Sequence, residues 1–213
     1  MKYRHWFWDF DGTLFNTYPR ICRAFQKSLA DAGIFEDCAV ILPQLKITLR
    51  TATEYFSSLH EGITAQSLLE GYHLHSEEED ISTFIPYPGM KDFLVSIVAS
   101  GGNNFLYTHR GNSVFDVLEY NGIKGLFSDI LTSLDGFPAK PAPDALLHLM
   151  KKHTLNPLEC VMAGDREIDL AAGLNAGMNA ICLDPDGFCP PIDCIPAFHD
   201  YRSLSSYILG IEG

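Results

Sequence analysis

Apolar and polar positions follow two textures along this chain. Over residues 17–85 apolar side chains recur at helical spacing. Ile21, Phe25 and Leu29 lie on one stripe of residues 18–32, which stops at Gly33, a common terminator of helices. Leu45, Leu49, Ala52, Tyr55 and Phe56 share a second helical face, and Thr64 is placed to cap a helix over residues 65–73. The run Glu77-Glu78-Glu79-Asp80 reads as a solvated face. Pro86-Tyr87-Pro88-Gly89 then breaks the pattern as a boundary would.

On either side of this segment short apolar runs alternate with helical stretches. Trp6-Phe7-Trp8 has the composition of a buried strand. From Met90 onward helices are predicted over residues 90–99, 114–120, 143–153 and 168–176, and strands over 104–107, 128–132, 160–163 and 180–183. The tail from Asp184 is rich in proline and loop-like, with a short helix over 201–209. Repeated strand–helix units imply a parallel sheet covered on both faces and joined by right-handed crossovers. The expected architecture is therefore α/β: a doubly wound core from residues 1–16 and 86–213, interrupted by a mostly helical module over 17–85.

The chain has 213 residues, 46% of them hydrophobic, which is enough for one sizeable core and a smaller inserted one. Its formal net charge of −12, with no basic stripe to offset it, argues against nucleic acid or an anionic membrane surface as partner. A small anionic substrate meets the same repulsion. A phosphate site would therefore need local positive charge from a lysine, backbone N–H groups or a bound cation. No apolar run reaches the roughly 18 residues that span a bilayer, and Met1 to His5 lead into the first strand without an apolar targeting region. A soluble, cytoplasmic protein is expected, its six cysteines free thiols. The spacing of Cys182, Cys189, Cys194 and His199 matches no common zinc site.

In an open parallel sheet, ligands bind beyond the carboxyl ends of the strands. After the first predicted strand come Asp9 and Asp11, which two-residue alternation points to one side, and Gly12 lets the backbone turn away. Two like-signed carboxylates at a strand end repel unless a cation or a shared proton relieves them. After residues 104–107 come Thr108, His109 and Arg110. After 128–132, through a loop, comes Lys140, and after 160–163 come Gly164, Asp165 and Asp169. Taken singly, an Asp-x-Asp-Gly is also a solvated turn, Thr108 a helix start and Lys140 a surface lysine. Together they supply a nucleophile, a donor to phosphate oxygens, a fixed positive charge and hard oxygen ligands for a cation.

On these residues the chain resembles the haloacid dehalogenase superfamily of phosphohydrolases. Asp9-Phe10-Asp11-Gly12-Thr13-Leu14-Phe15-Asn16 is similar to its first motif, Thr108 to the second, Lys140 to the third and Gly164-Asp165-Arg166-Glu167-Ile168-Asp169 to the fourth, in the family's order. The resemblance implies a Rossmann-like doubly wound core and a helical cap over residues 17–85, as in the phosphoglycolate-phosphatase-like branch. It also implies that Asp9 attacks phosphorus and that Asp11 serves as general acid and then base. Mg²⁺ would be held by the Asp9 carboxylate, the Asp11 carbonyl and Asp165. The phosphoryl group would be bound by Thr108, by the backbone N–H groups of Phe10, Asp11 and His109, and by Lys140. His109 is expected to act through its backbone alone, and Arg166 and Glu167 to form a local salt bridge. The sequence leaves open whether Asp169 holds Lys140 or a metal-bound water.

The resemblance implies a phosphatase acting on a small phosphorylated metabolite, with phosphoglycolate a candidate. Two alternatives remain, a sugar phosphomutase of the same superfamily and a catalytically silent binding protein on this fold. A true dehalogenase lacks the second acid that Asp11 supplies. The helical cap is expected to close over the core about hinges near Asn16-Thr17 and Pro86 to Gly89. Lys46, Thr48 and Arg50, near where related caps meet the leaving group, read as a solvated helix face. Neither the oligomeric state nor the cap residues that recognise the leaving group follow from the sequence.

Overall fold

A computed structural model describes residues 2–77 and 80–210, so Glu78 and Glu79 of the acidic run lie outside the described residues. The chain divides into two compact units, Thr17–Thr83 and Met1–Asn16 with Phe84–Gly213. The first of these is helical: α1 (Tyr18–Asp31), α2 (Cys38–Ile47), α3 (Leu49–Leu59) and α4 (Ala65–Glu77). Its core gathers the stripe residues Phe25, Leu29, Leu45, Ala52 and Phe56 with Ile41 and Leu68. Close approach of α1 and α4 depends on Gly71, where an added Cβ would lie 2.5 Å from Ser28 Oγ. That hydroxyl donates to the Leu68 carbonyl at 2.7 Å.

Several local expectations are corrected in this unit. Residues 45–56 do not form one helix, because Thr48 is extended and its hydroxyl accepts the Thr51 N–H at 2.9 Å, so that α3 starts anew there. Tyr55 consequently leaves the buried stripe and is 39% exposed. Lys46 does not lie on a solvated face; it is buried, with Nζ 3.8 Å from the centre of the Tyr18 ring. Arg50 is solvated and pairs with Glu54 at 2.7 Å. Cys22 and Cys38 are not free thiols but a disulfide, since α1 and the start of α2 bring their Cα atoms to 5.9 Å across 16 residues of sequence. Cys160, Cys182, Cys189 and Cys194 are free.

The strands belong to the second unit: β1 (His5–Trp8), β2 (Phe15–Asn16), β3 (Ile85–Pro86), β4 (Asn103–Tyr107), β5 (Phe127–Leu131), β6 (Cys160–Gly164), β7 (Asn179–Leu183) and β8 (Ala197–Phe198). Six form one sheet in the order β5-β4-β1-β6-β7-β8, every pair parallel. β2 and β3 form a separate antiparallel ribbon. That ribbon and β8, within the tail read as loop, have two residues per strand, too few to show a period. The helices of this unit are α5 (Met90–Ala99), α6 (Ser113–Tyr120), α7 (Asp144–Lys152), α8 (Glu167–Asn175) and α9 (Tyr201–Leu209).

β1 lies where the strand order reverses, and its residues are all buried. Phe7 stacks on Phe105 at 4.7 Å in a core shared with Leu146 and Leu149 of α7 and Ala172 of α8. Trp6 and Trp8 point the other way, onto Phe93 of α5 at 5.1 and 5.9 Å. Burial on both faces explains why this strand is an unbroken aromatic run. Trp8 donates to the buried Asn104 side chain at 3.0 Å, and Asn104 donates to the Leu94 carbonyl at 3.1 Å, so the polar atoms beneath the site are satisfied. No described helix is long and apolar enough to cross a membrane.

Register then places the site. Trp8 stands opposite Leu106 on one side and Ala163 on the other, which brings the segments after β1, β4 and β6 level at one edge of the sheet. α8 packs against β6 through Gly173, where an added Cβ would meet Met162 Cβ at 2.6 Å. Gly173→Ala should therefore destabilise the fold by about 1–3 kcal/mol despite the better helix propensity of alanine. Urea unfolding would register this as a lower midpoint. An unchanged or raised midpoint would mean that α8 moves off the sheet at no cost.

Candidate active site

The ends of β1, β4 and β6 and one loop converge on a buried group of charges. Lys140 Nζ lies 2.5 Å from Asp9 Oδ1, at the end of β1, and 2.7 Å from Asp169 Oδ1, in the first turn of α8. All three side chains are buried. Asp169 Oδ2 accepts the N–H of Arg166 at 3.2 Å, so this carboxylate also caps α8, where the helix dipole favours negative charge. Gly164 makes the approach possible, since a Cβ there would stand 2.3 Å from Asp169 Cβ.

The loop that carries Lys140 is held from β4. Tyr107 donates to the Pro138 carbonyl at 3.0 Å, and the Lys140 backbone N–H donates to His109 Nε2 at 3.1 Å. The Tyr107 ring also faces the ammonium, 4.8 Å from its centre. Neither role was legible from sequence. Tyr107 reads there as one more apolar strand residue, and His109 is expected to act through its backbone alone, whereas its ring is the acceptor that seats Lys140.

Burial sets the electrostatics. Burial works against the charge of Lys140, but Asp169 and Asp9 outweigh it and raise the ammonium above its ordinary value. Burial would likewise raise Asp169, yet Lys140 and Arg166 hold that carboxyl below its usual range. Asp9 moves the other way: burial and the charge of Asp169 push it up, against the pull of Lys140. His109 is lowered to about 4 by burial and by the positive charges of Lys140 and Arg166, so the ring is neutral near pH 7 and keeps the lone pair that Lys140 N–H needs.

Of the residues singled out from sequence, Asp9, Lys140, Asp165 and Asp169 come together. One carboxylate oxygen from each of Asp9, Asp165 and Asp169 lies within 4.8 Å of the others. Of the two partners left open for Asp169, the structure pairs it with Lys140. Arg166 pairs with Asp169 at 3.5 Å, in place of the local salt bridge expected with Glu167. Thr108 is buried at the end of β4, and its hydroxyl accepts the Arg110 N–H at 3.1 Å, which leaves its proton available to donate. Phe10 is buried against Phe15 at 4.6 Å, and its carbonyl accepts the Leu14 and Phe15 N–H groups at 3.1 Å, forming the turn around Gly12. Asp11 is set apart from the other acids: β1 stops at Trp8, so strand alternation does not carry to residue 11, and its carboxylate is gripped by Arg110.

The acids suit a divalent cation. Asp9 Oδ2 is buried and accepts no hydrogen bond from the described residues, and an Asp165 carboxylate oxygen lies within 4.8 Å of one of the Asp9 oxygens. A hard cation ligated there would relieve the repulsion that raises Asp9. Among the described residues no other group of acids, histidines and cysteines converges in this way, Cys182, Cys189, Cys194 and His199 included.

A doubly wound parallel sheet here carries a lysine-bridged acid pair and a third acid at its carboxyl edge, where α/β proteins of this class bind ligands. Residues 7–183 match the family model described as haloacid dehalogenase-like hydrolase, and the chain belongs to that family. A phosphoglycolate phosphatase from Psychrobacter arcticus is 26% identical, with 94% of each chain covered. One from Vibrio vulnificus is 41% identical over 93 residues, and this match spans 43% of the present chain and only 40% of that protein. The crystal structure of a hydrolase from Streptococcus pneumoniae is 31% identical, with a TM-score of 0.66 over 99% of this chain and 100% of that one.

The low value of His109 fixes a pH dependence. A histidine near 6.5 when unfolded and near 4 when folded binds more protons unfolded between those values, so its contribution to stability falls as pH drops through that window. The loss should be on the order of 1–3 kcal/mol, and His109→Gln, which keeps an acceptor but does not titrate, should flatten it. Urea midpoints from pH 7 to pH 4 test this. Parallel slopes for the two proteins would contradict it.

Proposed function

We propose that this chain is a Mg²⁺-dependent phosphatase that hydrolyses a small phosphomonoester through an aspartyl-phosphate on Asp9, with phosphoglycolate a candidate substrate. The observation that carries this reading is the bridge of Lys140 between Asp9 and Asp169. It orients one oxygen of a buried carboxylate and leaves the other, Oδ2, without a hydrogen bond from the described residues. A buried carboxylate held in one orientation by the ammonium, with Oδ2 open to the cation, suits in-line attack on phosphorus better than a structural role.

In this mechanism Asp9 forms a bond to phosphorus while the bond to the leaving oxygen breaks, and Asp11 delivers a proton to that oxygen. Asp11 then takes a proton from the water that attacks the aspartyl-phosphate, releasing phosphate and restoring Asp9. Lys140, the Thr108 hydroxyl and the N–H groups of Phe10, Asp11 and His109 bind the phosphoryl oxygens, the local positive charge that a chain of net charge −12 requires. Mg²⁺ would be held by the Asp9 carboxylate, the Asp11 carbonyl and Asp165, where it would supply the charge that neutralises and orients a phosphoryl group. Asp169 touches no substrate in this scheme; it keeps Lys140 in place. The helical unit serves as the family's cap, and the substrate is a small metabolite of the cytoplasm.

Phosphate release from a panel of phosphomonoesters, including phosphoglycolate, sugar phosphates and nucleotides, tests the reading with Mg²⁺ or chelator. Release should require the metal and fall by about 10³-fold or more in Asp9→Asn. Release that survives either treatment would refute it. Interconversion of sugar-phosphate isomers without release would point to a phosphomutase, and neither activity to a silent binding protein.

A further inference from the structure

Arg110 and Asp11 form a forked ion pair beside the buried charges. The Arg110 Nε lies 2.8 Å from Asp11 Oδ1 and 2.9 Å from Oδ2, and a terminal guanidinium nitrogen lies 2.8 Å from Oδ1. The guanidinium also rests over two aromatic rings, 4.9 Å from the centre of Phe84 and 5.5 Å from that of Phe10. It is thus held in one orientation with a carboxylate in its fork.

Two consequences follow from this geometry. Both oxygens of Asp11 are engaged, so the side chain that must address the leaving oxygen is turned to another task. The cation that holds it is also within reach of solvent: the Arg110 and Asp11 side chains are 15% and 20% exposed, whereas those of Lys140, Asp9 and Asp169 are at most 2% exposed. Lys140 is committed to Asp9 and Asp169, and Arg166 to Asp169. An anionic group on the substrate other than the phosphate would therefore meet Arg110 first. A carboxylate entering the fork replaces another carboxylate, so the guanidinium keeps its charge balance and its paired hydrogen bonds while Asp11 is released.

We propose that Arg110 is a specificity-determining residue that binds a carboxylate on the leaving group of the substrate, and that this carboxylate displaces Asp11 from the guanidinium and frees it to face the leaving oxygen. The proposal rests on the phosphatase reading above. It names the class of substrate, phosphorylated hydroxy acids, and makes their carboxylate part of the assembly of the site. Esters with an uncharged leaving group lack the means to release Asp11 and are turned over less well.

The test compares kcat/KM for phosphoglycolate and for 2-hydroxyethyl phosphate, which replaces the carboxylate by an uncharged alcohol, in wild type, Arg110→Gln and Arg110→Lys. The ratio of the two values on one preparation does not depend on the fraction of active protein. Wild type should favour the carboxylate by about tenfold or more, and Arg110→Gln should lower that preference by about 10–100-fold, the worth of a charged forked contact. Arg110→Lys, with charge but no fork, should fall between them and carries the decision if Arg110→Gln does not fold. An equal ratio in wild type and variant, or a wild type indifferent to the carboxylate, overturns the role of Arg110 and leaves the phosphatase reading standing. A wild type that releases phosphate from no monoester overturns that reading and this proposal together.

Discussion

A lysine ammonium buried between two carboxylates, Lys140 with Asp9 and Asp169, is the contact on which the rest of this site depends. Removing one partner of such a group strands a buried charge, so each member needs the others in place. The neighbouring structure is arranged to meet that need. Gly164 admits Asp169, the first turn of α8 favours its negative charge, and Tyr107 and His109 seat the loop that delivers Lys140. The lysine tethers three separate strand ends to one point.

The four acids of the site are separated by environment. Asp9 and Asp165 face the position where a cation fits, Asp169 is spent on Lys140 and the helix cap, and Asp11 is drawn away by Arg110. Carboxylates placed in different surroundings acquire different tasks even when sequence makes them look alike. Asp9 is raised because burial and the charge of Asp169 outweigh the pull of Lys140, and Asp169 is lowered because Lys140 and Arg166 outweigh its burial. The neutral imidazole of His109 belongs to the same balance, since a charged ring beside Lys140 would lose the lone pair that accepts its N–H.

The parts of the fold that were legible are those with a strong local signal. The aromatic run of β1, the alternating helices and strands after Met90 and the stripe of α1 carry periods long enough to read. Other features had no such signal. β2, β3 and β8 are two residues long, and the division of α2 from α3 rests on the single hydroxyl of Thr48. Lys46 looked solvated because its composition says so, whereas in the fold its buried ammonium faces the ring of Tyr18, brought near by α1. The disulfide of Cys22 and Cys38 joins residues whose proximity depends on how two helices pack.

By itself, the sequence determined which kinds of group stand at the strand ends: Asp9, Asp11, Thr108, Lys140, Asp165 and Asp169 each follow an apolar strand directly or through a loop, and strand order and polarity then deliver them to one edge. Local chemistry suffices for that, because a period of two or of 3.6 is written in neighbouring residues. Only the tertiary structure decided how these groups pair. The choice of Lys140 for Asp169, of Arg110 for Asp11 and of the His109 ring for the Lys140 N–H involves residues 29, 99 and 31 positions apart. Such partners are selected by distance, burial and charge in three dimensions, and a chain read in one dimension contains none of those quantities.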